Sequence, residues 1–281
     1  MRRQAMTLAA ACCVALVLTS VTAGGRQNAP RQAARILYIE GEPRAEMKFI
    51  NRALQDNGPR VVTLQRTADS KYLRLGVAGP EDLKDGFPKS QAELFRYSAI
   101  VLGSIEASAF DSEQHRLLAA FVTEHGGGLL ALGGARAFGA GGWDGTPISA
   151  LLPIDVEPTI PSTSAIRSVR LKVEPTPAGL SHPALGPINA LGEAVWKRLP
   201  TVTSLNPVYL TRPGATMLLT GIDSNGREMA VLAVGWEGAG RTAAFTVQDS
   251  WMWEMSAKTV PSAHERFWQG LLGWLIEGAP K

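Results

Sequence analysis

Three carboxylate residues mark the places in this sequence where acid–base chemistry could occur. Glu40, Glu106 and Asp249 each lie at or just after a predicted buried strand. Hydrolysis of a glycosidic or amide bond without a thiol or a metal needs two carboxyl groups with separated pKa values. These three residues are therefore catalytic candidates, and His182 is a fourth because catalytic triads assemble in space. The alternative is that the strand ends are polar simply because they meet water.

The remaining reactive residue types do not follow a known catalytic or metal-binding pattern. The four histidines show neither an HExxH motif nor a paired spacing, so no metal site is expected. Neither Ser104 nor Ser250 lies in a GxSxG motif, so a serine hydrolase lacks its usual signature. No cofactor is predicted.

A glycine-rich segment from Gly133 to Pro147 follows the predicted strand 129–132. Glycines permit positive φ and close backbone approach, which suits a loop that covers a ligand or a tight structural crossover. The spacing is neither that of a P-loop nor that of GxGxxG. Both interpretations stay open. The predicted ligand-binding residues here and at the first strand end are Arg44, Gly133, Gly134, Arg136, Phe138 and Trp143.

Trp251 and Trp253 are a second candidate binding feature. Two positions apart on an extended segment, they would face one way and, with Phe138 or Trp143, form a platform for sugar rings or a peptide. The alternative is that they cover the end of the core. Five other aromatic residues are predicted to be core: Trp196, Trp236, Phe267, Trp268 and Trp274.

Strands and helices alternate in the first half of the chain and must position these residues. Apolar runs predict strands at 35–40, 60–64, 97–102 and 129–132, with helices after the first and third. Residues 67–91 are polar and rich in Gly and Pro, which indicates a long surface connection. The alternation predicts an α/β fold with a three-layer, flavodoxin-like, mostly parallel sheet. Ligands bind such sheets at the carboxyl ends of the strands, where the polar residues would converge.

The second half of the chain is rich in predicted strands. They cover 166–173, 215–222, 229–234 and 241–247, with a hairpin signal at 223–226, and are expected to extend the sheet in the antiparallel sense. A capping-box pattern from Ser262 to Glu265 predicts a final helix that packs back on the sheet.

The first residues have the order of a secretory signal. Arg2 and Arg3 precede an apolar stretch, and Val21-Thr22-Ala23 suits cleavage after Ala23. The predicted organisation is a signal peptide at 1–23, a flexible tether at 24–34 and one domain at 35–281. A retained membrane anchor is the weaker alternative, because the apolar run is shorter than a spanning helix needs. The protein is therefore expected in the periplasm or outside the cell.

Charge and cysteine content exclude several classes of protein. Without Arg2 and Arg3, the 28 basic residues fall to 26 against 25 acidic ones, which is too balanced for a nucleic-acid-binding protein. Both cysteines, Cys12 and Cys13, lie in the predicted signal segment. Its removal leaves no thiol for a disulfide, a metal site or a nucleophile.

The sequence resembles the glutamine amidotransferase domain found in bacterial envelope proteins, a branch of the class I glutamine amidotransferase-like fold. The similarity covers nearly all of the chain after the signal segment and lies in 133–147, Leu152-Pro153-Ile154-Asp155, His182-Pro183, Gly240-Arg241, Trp251-x-Trp253 and Arg266-Phe267-Trp268. It implies the topology of that fold.

Class I amidotransferases carry a nucleophilic Cys on a sharp turn after a central strand, and here that turn offers Gly133 and Gly134. We therefore expect a non-catalytic module that binds a small molecule, a glycan or an envelope protein. The alternatives are a cysteine-independent hydrolase that uses a carboxylate pair and, by family analogy, a scaffold partner for von Willebrand-type envelope proteins.

Overall fold

The computed structural model describes residues 34–56, 58–68, 71–158, 166–208, 210–255 and 262–278, and these belong to one compact unit. The predicted signal peptide and all but the last residue of the predicted tether lie outside the described residues. None of the helices in the described ranges has the length and apolar character that a membrane crossing requires.

Ten strands and eight α-helices make up the described part of the chain, together with four short 3-10 helices. The strands are β1 (Arg35–Glu40), β2 (Arg60–Ala68), β3 (Lys71–Leu75), β4 (Ala99–Leu102), β5 (Gly128–Leu132), β6 (Arg167–Pro175), β7 (Val202–Leu205), β8 (Thr216–Ile222), β9 (Glu228–Glu237) and β10 (Gly240–Phe245). The helices are α1 (Ala45–Leu54), α2 (Gln91–Leu94), α3 (Ser112–Thr123), α4 (Pro177–Ser181), α5 (Gly186–Asn189), α6 (Ala194–Arg198), α7 (Trp251–Met255) and α8 (Ala263–Ile276).

All ten strands join one mixed sheet in the order β3-β2-β1-β4-β5-β10-β9-β8-β6-β7. Among the described strands, the four pairs that link β2, β1, β4, β5 and β10 are parallel, and the other five are antiparallel. The prediction of a mostly parallel, flavodoxin-like three-layer fold is therefore wrong. The α/β class and the strand-rich C-terminal half are confirmed.

Short connections explain the antiparallel pairs. Two residues separate β2 from β3 and two separate β9 from β10, and such connections can only join antiparallel neighbours. The β8–β9 hairpin turns at Asp223, whose side chain accepts hydrogen bonds from the backbone N–H groups of Asn225 and Arg227. The segment 67–91, predicted to be irregular, contains β3 because its residues pair with β2.

Apolar side chains are buried on both faces of the sheet. One cluster joins the sheet to α1 and α8, and the other joins it to α3. The helix α3 begins with the predicted capping box, in which Asp111 and Gln114 exchange side-chain and backbone hydrogen bonds. The predicted capping box of α8 does not form, because Ser262 has a left-handed backbone and makes no side-chain cap hydrogen bond.

Candidate functional site

The carboxyl ends of the parallel strands β1, β4 and β5 meet at one edge of the sheet, as predicted. The Glu40 carboxylate accepts a hydrogen bond from the backbone N–H of Ser104 at 2.9 Å. Ser104 Oγ accepts one from the N–H of Arg136 at 3.0 Å, and Arg44 Nη1 donates to the carbonyl of Gly133 at 2.5 Å. These contacts join the first three polar strand ends into one cluster.

Glu40 is held as an ion pair inside this cluster. Its side chain is fully buried, and its Oε2 accepts hydrogen bonds from Arg44 Nε at 2.9 Å and from the Tyr38 hydroxyl at 3.0 Å. Burial, followed by the charge of Glu40, raises the pKa of Tyr38 well above its usual value, so the phenol stays protonated and donates. The carboxylate is neutralised by Arg44 and has no exposed oxygen to offer a substrate.

Glu106 is neutralised in the same way. Arg66 donates to both of its oxygens, at 2.6 and 2.7 Å, and Arg136 Nη1 lies 3.4 Å from each. The hydrogen bonds from Arg66 lower the pKa of Glu106 to about 2. It is therefore ionised at neutral pH and has no proton to donate as a general acid.

Asp249 and His182 occupy separate positions. Asp249 follows β10, which runs parallel to β5, and its Oδ2 accepts hydrogen bonds from the N–H and hydroxyl of Thr203 at 2.6 and 2.7 Å. Its buried Oδ1 has no hydrogen-bond partner among the described residues. The His182 ring caps a 3-10 helix and packs against Trp274. Burial lowers the pKa of His182.

The turn at Gly133 and Gly134 after β5 is packed closely against neighbouring residues, which occupy the space that side chains would need. A Cβ atom at Gly133 would lie 2.2 Å from the Thr246 carbonyl oxygen, and one at Gly134 would lie 2.4 Å from Ser104 Cβ. The Asn206 amide accepts from the N–H of Gly134 at 2.7 Å and donates to its carbonyl at 3.0 Å. The geometry favours the tight structural crossover, and it leaves no space for a cysteine side chain.

The prediction that Trp251 and Trp253 form an aromatic platform on an extended segment is wrong. Trp251 and Trp253 lie in the helix α7, where positions two apart diverge by roughly 200°. Trp253 is fully buried against Trp196, whereas Trp251 stacks on Phe49 with ring centroids 6.1 Å apart.

The other aromatic predictions have mixed outcomes. Phe138 and Trp143 are buried, and Trp143 Nε1 donates to the Ile105 carbonyl at 2.8 Å, so neither supplies an open ring face. The prediction that Trp236 is core is wrong, since its side chain is 58% exposed near the end of β9. The guanidinium of Arg241, its partner on β10, lies over one face of its ring. Trp196, Phe267, Trp268 and Trp274 are buried as predicted.

A buried polar network next to Asp249 was not predicted. Ser250 Oγ donates to Glu46, the N–H of Trp251 donates to the other Glu46 oxygen at 3.2 Å, and Trp268 Nε1 lies 3.2 Å from Ser250 Oγ and 3.0 Å from His264 Nε2. Burial raises the pKa of Glu46 to about 7 and lowers that of His264 to about 3. The sequence signal was present, since Glu46 lies four residues before Ile50 on the apolar face of α1.

No group of three or more potential metal ligands occurs within the described ranges. The arrangement can hold buried charges in fixed positions. Glu40 and Glu106, however, are each paired with an arginine, and Glu40 is fully buried.

Comparison with known proteins identifies a family. The model of a family described as "Putative glutamine amidotransferase" matches residues 64–277. No curated protein matches the chain.

Two solved structures from Salmonella typhimurium share the fold. The cytoplasmic protein STM1381 of strain LT2 is 17% identical over 86% of this chain and 99% of its own, with a TM-score of 0.60. The cytoplasmic protein STM3548 is also 17% identical, over 88% of this chain and 100% of its own, with a TM-score of 0.62. At this identity the likeness concerns the fold alone.

Proposed function

We propose, starting from the fact that this chain belongs to the glutamine amidotransferase-like family, that it is an exported, non-catalytic binding or interaction domain of the cell envelope. The resemblance of the sequence to that family is confirmed, but a family name describes a fold and does not fix an activity.

The packing around Gly133 and Gly134 carries the proposal. A nucleophile on this turn would need a Cβ atom and a sulfur atom where the Thr246 carbonyl and the Ser104 side chain already lie. The described residues also contain no cysteine. The glutaminase reaction of class I amidotransferases therefore has neither its nucleophile nor the space for one.

The arginine contacts weigh against the alternative of a cysteine-independent hydrolase. Such an enzyme needs one protonated and one ionised carboxyl group that both face the scissile bond. Arg44 holds Glu40 at 2.9 Å, and Arg66 holds Glu106 at 2.6 Å. Asp249 is held by Thr203 and is only 6% exposed.

A glutaminase assay tests the catalytic half of the proposal. We expect the purified protein to release no ammonia from glutamine. A Gly133→Cys variant is expected to stay inactive and to lose roughly 1–3 kcal/mol of stability or more, because the side chain overpacks the turn. Gly186→Ala is the matched control, since a Cβ atom there would meet nothing within 4 Å. Ammonia release by the unmodified protein would contradict the proposal.

Cell fractionation tests the export half. The order of Arg2, Arg3, the apolar stretch and Ala23 supports a signal peptide. We expect the protein in the periplasmic or extracellular fraction with Gly24 as its first residue, measured by mass spectrometry of the intact chain. A cytoplasmic protein that keeps Met1 would refute export and leave the assay above unaffected.

A further inference from the structure

An open cleft of about 780 Å³ lies between α1 and the outermost strands β2 and β3. It exists because the sheet extends two strands beyond β1, while α1 packs against α8 on the other side. The face of β2 and β3 beside α1 is therefore left partly uncovered. The volume falls within the range of small-molecule pockets.

The floor of the cleft is apolar. Leu54 of α1 is buried there, Val61 of β2 is partly buried, and Leu75 of β3 is 43% exposed. Leu73, two residues before Leu75 on the same face of β3, is 46% exposed. Two leucines so exposed on an edge strand offer apolar surface to a ligand.

The charges around the cleft have one sign. Lys48 and Arg52 lie four residues apart on α1 and so share a face of the helix, and Arg60 lies where β2 begins. Lys48 and Arg52 make no ion pair with any described residue, and the described lining contains no Asp or Glu. An anion beside Lys48 and Arg52 would meet two cations without displacing an ion-pair partner, whereas Arg60 donates to the Val77 carbonyl at 3.3 Å.

One polar side chain in the lining, that of Asn51, has a buried oxygen atom without a hydrogen-bond partner among the described residues. Asn51 Nδ2 lies 3.3 Å from Thr63 Oγ1, and Asn51 Oδ1 is buried without a partner. The two amide orientations are interchangeable, since the Thr63 hydroxyl can accept from the amide or donate to it. In either orientation the amide atom beside Thr63 is paired, and the other is buried without a partner among the described residues.

We propose that this cleft binds an amphipathic anion, with its head group near Lys48 and Arg52 and its apolar chain over Leu54, Val61 and Leu75. The shared chemistry is an anionic head on a hydrocarbon chain, whether from a free fatty acid or an anionic lipid. The inference rests on the proposed role as a binding domain and names the ligand class. It places the ligand beside α1, outside the closed cluster of strand ends.

Fluorescence titration with dansyl-labelled undecanoic acid tests the proposal on the full chain, with the matching dansyl-labelled alcohol as a neutral probe. The acid should bind more tightly than the alcohol, and added salt should weaken its binding. Lys48→Gln/Arg52→Gln should reduce the affinity for the acid by about fivefold or more and leave the affinity for the alcohol unchanged. Leu75→Asn should reduce the affinity for both probes.

The control variant Lys197→Gln/Arg198→Gln removes the same charge from exposed positions on α6, outside the cleft. It should bind both probes like the unmodified protein. Thermal unfolding of each variant checks that the fold is intact. Equal affinity for acid and alcohol, or equal losses in the cleft variant and its control, would overturn the proposal.

Cosedimentation with vesicles separates the two sources of ligand. Binding to phosphatidylglycerol but not phosphatidylcholine vesicles, lost in Lys48→Gln/Arg52→Gln, supports a lipid in a bilayer. Binding of the free probe alone supports a fatty acid. If the protein binds neither the vesicles nor the free probe, only this inference is overturned. Ammonia release from glutamine would instead overturn the non-catalytic role and would not affect the probe measurements.

Discussion

Glu46 lies in the first turn of α1, where a carboxyl group is usually exposed to water, but its side chain is buried. It is 1% exposed, Ser250 and the N–H of Trp251 donate to it, and burial raises its pKa from 4.5 to about 7. Between these values the folded protein keeps a proton that the unfolded chain has lost. Its contribution to stability is therefore fully present below about pH 4.5 and is lost as the pH rises through 7.

We predict that Glu46→Gln removes this pH dependence. The gap between 4.5 and about 7 corresponds to roughly 3 kcal/mol, so relative to the unmodified protein the variant should gain about that much stability between pH 4.5 and pH 8. The measured quantity must be the difference in unfolding free energy between the variant and the unmodified protein. The reason is that His264, whose pKa is lowered to about 3, changes stability with pH in the opposite sense in both proteins. Urea unfolding at several pH values measures it. A constant difference would show that Glu46 is ionised throughout.

At the scale of elements, ion pairs connect segments that are distant in the chain. Arg66 of β2 holds Glu106, which follows β4, and the two lie 40 residues apart. Their side chains are 12% and 25% exposed, which limits solvent screening of the pair. The Arg66 hydrogen bonds lower the pKa of Glu106 to about 2. The stabilisation is therefore present above about pH 4.5 and is lost as the pH falls through 2.

A double-mutant cycle with Arg66→Gln and Glu106→Gln should give a coupling free energy of about 1 kcal/mol or more at pH 7, and less at pH 3. The control cycle uses Arg116 and Glu113, a pair within α3 whose side chains are 66% and 75% exposed. It should couple by no more than about 0.5 kcal/mol. Denaturant unfolding gives both values. Equal coupling in the two cycles would show that the buried geometry adds nothing.

At the scale of the whole molecule, one sheet separates two apolar clusters that share its strands. Leu118 of α3 lies in the cluster on one face and Leu271 of α8 in the cluster on the other, and both side chains are fully buried. Neither cluster can lose its packing without exposing strands that the other cluster needs. The described residues should therefore unfold as one cooperative unit.

Leu118→Ala and Leu271→Ala should each destabilise the whole protein by roughly 2–5 kcal/mol. Far-UV circular dichroism and tryptophan fluorescence should then report the same denaturant midpoint in both variants. Leu210→Ala is the control, because Leu210 is 58% exposed and its truncation should change stability by less than about 0.5 kcal/mol. Separate midpoints for the two probes would contradict a single cooperative unit.

The sequence by itself determined the local elements and the family. Continuous apolar runs mark buried strands such as β1 and β5, and the Asp111 pattern marks the start of α3. These features are readable because burial and capping depend on neighbours in the chain. Similarity of motifs also sufficed to identify the family.

Only the tertiary structure decided strand direction, the state of the carboxylates and which aromatic rings are exposed. Arg66 neutralises Glu106 across 40 residues. Trp236 on β9 is exposed, and Trp253 on α7 is buried against Trp196. Each outcome depends on contacts between distant segments, which residue type and spacing do not encode. Periodicity reports that a side chain is buried or exposed, whereas its partner is set by how the strands pair.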